Sequence, residues 1–453
     1  MTVKKSSDIA ISRVVFRMAI LCSAMMGGAA FAQGTDNTSI PTFSKDVAPI
    51  IQRSCQGCHN PGGIGPMALT SYEAVRPWAP LIKDRTTKRI MPPWHVSRSV
   101  GIQDFKNDVS LTDEEIAIIA AWVDGGAPQG NPADMPPPRT FPTGEEWALD
   151  DILGPPDVII KSSLFTVAAN GQDQWWSPDT EFPDLGEERW LRASEFRPSY
   201  PMGNKVVHHG HANLVPADGE SRPIGIAHYG VGMNYEIFPE GTGMRVPAKG
   251  HIEWDLHYAP TSQDVDDLVE VGLWFYDKGV VPENKTSGEQ LYRVDAGQGL
   301  ARGQDIIIPP NGTQVLNGTH YLKQPTMITS FRPHMHMRGK LMSMEAIYPD
   351  GRREVLNEVD KYNHNWQISY VYADDAAPLL PAGTILNFYS VFDNSARNPI
   401  NPDPEQWVLF GRRGVDEMSH AWVGTTTLNE EQYASMVQKR AAAKEVLTVG
   451  NED

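Results

Sequence analysis

The sequence predicts a multidomain protein in which a small all-α domain precedes two all-β sandwich domains of jelly-roll-like type. Two amphipathic helical patterns lie in the first 130 residues, and they flank a closely spaced cysteine pair. Beyond them, short strand-like runs alternate with turns rich in Gly, Pro, Asn and Asp, and no long helical periodicity returns before the C-terminal tail. With 453 residues, the chain is long enough for about two to four domains.

Residues 1–32 form a predicted signal peptide. Basic residues precede the apolar run 18–26, and Ala30-Phe31-Ala32 supplies the small residues of a cleavage site. The apolar run is too short for a comfortable membrane span, and no later run approaches the roughly 18 apolar residues that a span requires. We therefore expect export to a periplasm and no integral membrane segment.

The mature chain is strongly acidic. Removing the four basic residues and one acidic residue of the predicted signal leaves 35 Lys and Arg against 55 Asp and Glu. Because such a chain repels phosphate backbones, we expect no nucleic-acid partner.

Cys55-Gln56-Gly57-Cys58-His59 is a Cys-x-x-Cys-His motif. This pattern is typical of c-type haem attachment, in which both thiols bind the haem covalently and the histidine binds its iron. A redox Cys-x-x-Cys pair and half of a zinc site are the alternatives. The chain has no second Cys-x-x-Cys, and predicted export also favours one covalently bound haem c.

Helical patterns at 43–53 and 111–124 support a small helical domain over residues 43–130. Thr112 and Glu115 have the spacing of a capping box at the start of the second helix. That helix resembles the closing helix of class I cytochromes c.

The second axial iron ligand is expected from the loop between these helices, where Met67, Met91 and His95 are candidates. We favour Met91, because prolines follow it directly and class I cytochromes c resemble it in carrying a Met-Pro ligand loop. The alternative is that Met91 is a core methionine.

Residues 131–152 are rich in proline and predict an extended, stiff linker. Strand-like runs follow, among them 158–160, 269–276 and 386–392. A turn-rich passage at 295–303 suggests a divide into two sandwich domains. The predicted domains and tail are the first sandwich at 153–297, the second at 298–430, and a partly helical tail at 431–453.

Histidines concentrate in three places, at 208–211, 251–257 and 334–336. Histidine is a leading ligand for copper and zinc, and two histidines at i and i+2 on a strand point to one face. The alternative is that these histidines are surface or core residues without metal. For the isolated histidines we expect no metal role: His228, His320, His364 and His420.

The order of four short motifs is similar to that of the copper type II, ascorbate-dependent monooxygenases, the family of peptidylglycine α-hydroxylating and dopamine β-monooxygenase. The resemblance covers about residues 200–425. Its motifs, in order, are His208-His209, Leu256-His257-Tyr258, His334-x-His336-x-x-Gly339 and Asp416-Glu417-Met418.

The resemblance implies two copper sites with different tasks. His208, His209 and His257 would hold the electron-donating copper. The catalytic copper, which binds O2, would be held by His334, His336 and Met418. The thioether is informative, because soft sulfur favours Cu(I) and zinc sites seldom include methionine.

Strand geometry conflicts with the first of these ligand sets. Neighbouring residues on a regular strand face opposite ways, so His209 would pair with His211 and not with His208. Gly210 would permit a bulge there. We expect His211 and His251 to act around the metal, orienting ligands or moving protons.

The sequence therefore predicts an exported, copper-dependent monooxygenase that hydroxylates a C–H bond of a small organic substrate with O2. Two uncoupled coppers would store one electron each, and a periplasmic donor would supply electrons through the fused haem. One alternative is a haem-copper electron-transfer or copper-binding protein without a C–H substrate. Another runs the reaction in reverse, with the haem accepting electrons.

Overall fold

The computed structural model describes most of the chain beyond the predicted signal peptide, which itself lies outside the described residues, as does the predicted divide at 297/298. Among the described residues, no helix is both long and apolar enough to cross a membrane. The described residues are 40–141, 144, 146–199, 201–230, 234–293 and 306–449, with the backbone alone for 285–293 and 444–449.

Seven α-helices occur in the described residues, and most of the short ones lie in the first half. They are α1 (Ala48–Ser54), α2 (Tyr72–Val75), α3 (Ala79–Thr87), α4 (Asp113–Asp124), α5 (Asp150–Leu153), α6 (Gly203–Val206) and α7 (Glu430–Val449). A π-helical turn precedes α1 at Phe43–Val47, and 3-10 turns lie at Arg76–Trp78 and Pro132–Asp134.

Both predicted N-terminal helices are confirmed. The first is formed by the π-helical turn and α1, and the second is α4, which begins after Thr112. Thr112 Oγ1 accepts a hydrogen bond from Glu115 N, and the Glu115 carboxylate accepts one from Thr112 N, so the capping box is complete. Phe43 and Trp122 pack with ring centroids 5.9 Å apart, in a helical core of their own.

The rest of the described chain is mostly β-structure, as predicted. The strands up to residue 258 are β1 (Val96–Gly101), β2 (Val158–Lys161), β3 (Phe165–Val167), β4 (Gln174–Trp176), β5 (Asp179–Glu181), β6 (Arg189–Arg197), β7 (Val207–Pro216), β8 (Ile224–Gly230), β9 (Tyr235–Ile237), β10 (Thr242–Val246) and β11 (Gly250–Tyr258). Those that follow are β12 (Val265–Asp267), β13 (Glu270–Phe275), β14 (Asn284–Arg293), β15 (Ile307–Ile308), β16 (Thr313–Tyr321), β17 (Thr326–His334), β18 (Gly339–Ile347), β19 (Arg353–Val359), β20 (Tyr370–Val371), β21 (Leu379–Leu380), β22 (Ile385–Asp393), β23 (Val408–Leu409) and β24 (His420–Thr427).

Two apolar cores each lie between two sheets. The first core packs β6 and β13 against β7 and β11, and contains Leu191, Phe196, Trp254 and Leu256. The second packs β17 and β24 against β18 and β22, and contains Phe331, Met344, Phe388 and Val423. Along β7, partly exposed and buried residues alternate from His211 to Pro216, so one side chain in two points into the first core. β13 and β17 are buried along most of their length.

A single long sheet connects the two cores. Its strand order is β2-β13-β6-β10-β14-β24-β17-β20, so it runs from the first core to the second without a break. β14 is the joining strand, because it pairs parallel with β10 and antiparallel with β24. The predicted division into two sandwiches therefore corresponds to two cores, but not to two separate sheets.

Part of the predicted helical domain belongs to the second β core. β1 pairs antiparallel with β19, and Val96 and Phe105 are buried among the side chains of that core. The Phe105 ring stacks on Tyr372, with centroids 5.3 Å apart. The segment between α3 and α4 thus joins the helical region to the β region, although the sequence analysis assigned all of 43–130 to one helical unit.

The proline-rich segment is packed and is not a free tether. Gln52 donates a hydrogen bond to Pro137 O at 3.1 Å, and Arg139 donates one to Gln52 O at 2.7 Å. Further along, Trp147 is buried against Trp274, with ring centroids 6.0 Å apart. The large apolar surface of Trp147 attaches the segment to the β region.

We expect Trp147→Ala to lower the free energy of unfolding by about 3–5 kcal/mol, because it leaves a cavity beside Trp274. Urea unfolding followed by circular dichroism would measure the loss. Trp407 is 62% exposed, so Trp407→Ala is the control and should change stability by no more than about 0.5 kcal/mol. Equal effects of the two substitutions would contradict the packing of this segment.

Candidate metal centres

A β-bulge at His208 brings the first predicted triad together. β11 pairs with β7 so that His257 faces His209, but Tyr258 faces Val207, which leaves His208 as an extra residue in β7. The bulge breaks the alternation of faces at this position, and the rings of His208 and His209 lie 5.5 Å apart. The structure thus removes the conflict between strand geometry and the predicted ligand set.

Gly210 is not the site of the bulge, which corrects the prediction from the sequence. It pairs regularly with Leu256 on one side and Tyr229 on the other. A Cβ atom at this position would lie 2.6 Å from Cζ of Phe196. Glycine is needed here because the Phe196 ring packs directly on the strand.

The three rings of the first triad are close enough to share one ion. Their centroids are 5.5 Å (His208–His209), 5.1 Å (His208–His257) and 4.8 Å (His209–His257) apart. Imidazoles bound to one ion at about 2.0–2.1 Å have centroids roughly 4.5–5.5 Å apart.

The nitrogen atoms of this triad are suited to a metal. His208 Nε2 is buried and has no hydrogen-bond partner, and His257 Nδ1 lies 3.1 Å from His209 Nε2. Burial lowers the pKa of His208 to about 3 and holds that of His209 well below its usual value. Both imidazoles are therefore neutral at pH 7, which is the form that binds metals.

Two residues that the sequence analysis did not identify surround His257. The Trp175 ring stacks on His257 at 4.3 Å, and Asp173 Oδ2 lies 3.2 Å from His257 Nε2. Interaction with His257 lowers the pKa of Asp173, so this carboxylate is ionised beside the triad. Both residues arrive through the pairing of β4 with β11, which no local sequence motif indicates.

In the second predicted triad, both histidines have Nδ1 engaged. His334 Nδ1 donates to Gln367 Oε1 at 2.9 Å, and His336 Nδ1 donates to Asp416 O at 3.1 Å. This fixes the tautomer and leaves Nε2 of each ring with a lone pair for a metal. Burial lowers the pKa of His336 to about 3, and the two rings lie 5.3 Å apart.

Hydrogen bonds to the two acidic residues before Met418 connect this part of the chain to His336. Glu417 is fully buried, and its carboxylate accepts hydrogen bonds from His336 N at 2.8 Å and from Arg338 N at 2.6 Å. Burial raises the pKa of Glu417 to about 8. Met418 follows directly and is half-buried, so its backbone is held next to the histidine pair.

The two triads are adjacent, although the sequence analysis treated them as separate sites. The His209 and His334 rings lie 5.8 Å apart, and the His364 ring lies 5.8 Å from His208 and 5.7 Å from His336. Each ring in this group neighbours the next in a closed circuit. We name the group the five-histidine cluster, and its members are His208, His209, His334, His336 and His364. As placed, no three His, Cys, Asp or Glu side chains of the described chain surround one point as metal ligands do.

Three histidines that were expected to have no metal role lie in or beside this cluster. His364 belongs to it, His420 lies 5.9 Å from His334, and His228 lies 6.3 Å from His211. The sequence offered a signal for His420, which is two residues beyond Met418. It offered none for His364, which lies between β19 and β20.

Of the two histidines expected to act around the metal, the structure brings only His211 to the cluster. Its ring stacks on Trp422 at 4.9 Å and lies 6.3 Å from His209. The His251 side chain is 45% exposed beside Glu253 and lies toward the far end of β11 from His257.

The Cys-x-x-Cys-His motif lines a mostly apolar cavity of about 890 Å³. Cys55, Cys58 and His59 face it together with Met67 and Met91, and the two cysteines form no disulfide. His59 Nδ1 donates to Met67 O at 3.1 Å, so its Nε2 would be the atom to hold a haem iron, and burial lowers the His59 pKa. The side chains thus fit a covalently attached haem.

The axial-ligand candidates occupy different places. The backbone carbonyl of Met67 accepts the hydrogen bond from His59 Nδ1, so Met67 lies close to the Cys-x-x-Cys-His motif. Met91 lines the same cavity from the segment that follows α3. His95 does not line the cavity, and its N–H donates to Tyr370 Oη at 3.3 Å. Trp366 and Ile368 of the β region also line the cavity.

No family model matches the chain, and no curated protein matches it. Among solved structures, the glycosylasparaginase PNGase F from Flavobacterium meningosepticum is 9% identical, with a TM-score of 0.29, over 60% of this chain and 96% of that one. The major capsid protein P2 of bacteriophage PM2 is 9% identical, with a TM-score of 0.26, over 59% and 97%. Likeness at this level bears on neither fold nor activity.

We expect Gly210→Ala to destabilise the protein by about 1–3 kcal/mol, because the new methyl group overlaps the Phe196 ring. Thermal unfolding measured by calorimetry would show the change. Gly171 is the matched control, since its Cβ would meet no atom closer than 3.9 Å, and Gly171→Ala should leave stability within about 1 kcal/mol of the parent. A neutral Gly210→Ala would contradict the close packing of Phe196 on β7.

Proposed function

We propose that this protein is an exported, copper-dependent monooxygenase of the copper type II, ascorbate-dependent family, fused to a small cytochrome c domain. The observation that carries the proposal is the meeting of both predicted ligand sets, which come from strands far apart in the sequence. His209 and His334 are 125 positions apart by their numbers, yet their rings lie within 5.8 Å. Chance burial of histidines does not account for motifs that converge in this way.

The residues divide into two copper sites and a haem site. His208, His209 and His257 would hold one copper, and His334, His336 and Met418 the other. Cys55, Cys58, His59 and Met91 would hold the haem. When bound, the coppers would supply single-electron storage and O2 activation for hydroxylating a C–H bond of a small organic substrate, and the haem would supply electrons from a periplasmic donor.

The protein side chains prepare these sites before metal arrives. Gln367 and the Asp416 carbonyl hold the Nδ1 protons of His334 and His336, so each ring presents Nε2. Burial keeps the imidazoles of His208 and His336 neutral. Asp173 places a negative charge beside the first triad, which offsets part of the charge of a bound cation.

A second candidate is a haem-copper electron carrier without a C–H substrate. The contact between the triads favours it, because adjacent rings leave no open space between His209 and His334 for a substrate. Partial solvent exposure of His208, His209 and His334 favours the enzyme, since small molecules can then approach the ligands.

Metal analysis of the purified, copper-loaded protein, combined with a reduced-minus-oxidised absorbance spectrum, tests the proposal. Two coppers and one c-type haem per chain, with repeated O2 turnovers on a C–H substrate, are expected. Zinc at the histidines, or a single copper per chain, would contradict the monooxygenase proposal and favour a metal-binding protein. Two coppers and haem without O2 turnover across a panel of substrates would favour the electron carrier.

We expect Met418→Ala to lose the second copper while keeping haem and the copper of the first triad, because only the thioether is removed. Copper counting and the haem spectrum would measure this. Met418→His is the matched variant, since it restores a metal-binding side chain and should retain two coppers. Loss of both coppers in Met418→Ala, or retention of both, would contradict the assignment of Met418.

A further inference from the structure

We propose that His364 is a further metal ligand, located between the two triads, and that the triads and His364 form one metal-binding cluster. The inference rests on the proposed function in one respect, namely that the triads bind copper. It goes beyond that function because the motif order assigns His364 no role, and the sequence analysis assigned it none.

The His364 ring is almost equally distant from the two triads. Its centroid is 5.8 Å from that of His208 and 5.7 Å from that of His336. These separations exceed by only a few tenths of an ångström the roughly 4.5–5.5 Å expected for imidazoles on a common ion.

The state of the His364 side chain points to a missing partner. The side chain is only 8% exposed. The Met335 backbone interacts with the ring, but the Nδ1 atom is buried without a hydrogen-bond partner. Buried polar atoms in proteins nearly always have a partner, and an unpartnered one costs free energy. A metal ion between the triads would supply that partner.

Hydrogen bonds hold the His364 segment against the second triad on both sides. Gln367 Nε2 donates to His364 O at 3.2 Å, while Gln367 Oε1 accepts from His334 Nδ1. On the other side, Tyr362 Oη donates to Met335 O at 2.6 Å and accepts from Met335 N at 2.9 Å. Met335 lies between the two ligand histidines, so one network positions His334, His336 and His364 together.

The electrostatic surroundings of His364 also suit a cation. Asp173 is the carboxylate that faces the same side chains, since it interacts with His257, His208 and His364. Neutral imidazoles beside an ionised carboxylate are a common donor set for copper and zinc.

Copper(II) titration of the full-length haem protein, followed by electron paramagnetic resonance, tests the inference. His364→Gln and His364→Phe each remove the imidazole. The expected result is Cu(II) binding weakened by about tenfold or more, with altered copper hyperfine and nitrogen superhyperfine splittings. His320→Gln is the matched control, because His320 is exposed on β16, outside the cluster, and should leave affinity and spectrum unchanged.

The outcomes separate this inference from the proposed function. If the parent protein binds no copper, both fail. If the parent binds copper and both His364 variants, folded by circular dichroism, bind it with unchanged affinity and spectrum, His364 is not a ligand and only this inference fails. If one of the two variants does not fold, the other decides by the same criterion.

Discussion

The pairing of β7 with β11, with one extra residue at His208, is the constraint on which the rest of the site depends. Without the bulge, His208 and His209 would face opposite sides of the sheet, and only one of them would meet His257. Val207, beside the bulge, is buried in the first core, and Phe196 packs on the strand at Gly210, two residues from His208. Core packing thus sets the position of His208 and His209.

Burial of so many imidazoles opposes folding unless they remain neutral and are paired. The structure meets the first condition by lowering their pKa values, and part of the second by hydrogen bonds from Nδ1 to Gln367 and to the Asp416 carbonyl. His208 Nε2 stays unpartnered. This pattern is expected of a protein whose polar core is completed by metal, since metal binding and folding are then coupled.

The long sheet that joins the two cores carries His334 of the second triad, whereas the histidines of the first triad lie on another sheet. β17 and β24 belong to that sheet, while β7 and β11 form the sheet that faces its other end across the first core. β1 connects the helical region to the second core, and Trp366 and Ile368 line the cavity of the Cys-x-x-Cys-His motif. His364 and Gln367 lie on this same short segment. The helical region and the histidines are therefore parts of one packed structure.

The sequence by itself determined the local features: the capping box of α4, the strand character of β2, β13 and β22, the Cys-x-x-Cys-His motif, and the histidine pairs. Each depends on interactions between residues that are close in the sequence, so the spacing of particular residue types reveals it. Only the tertiary structure decided the position of the bulge, the joining of two cores by β14, the contact between triads, and the presence of Asp173 and His364. These features depend on pairing and packing between segments that are distant in the sequence. No local motif in a strand indicates which other strand it will pair with.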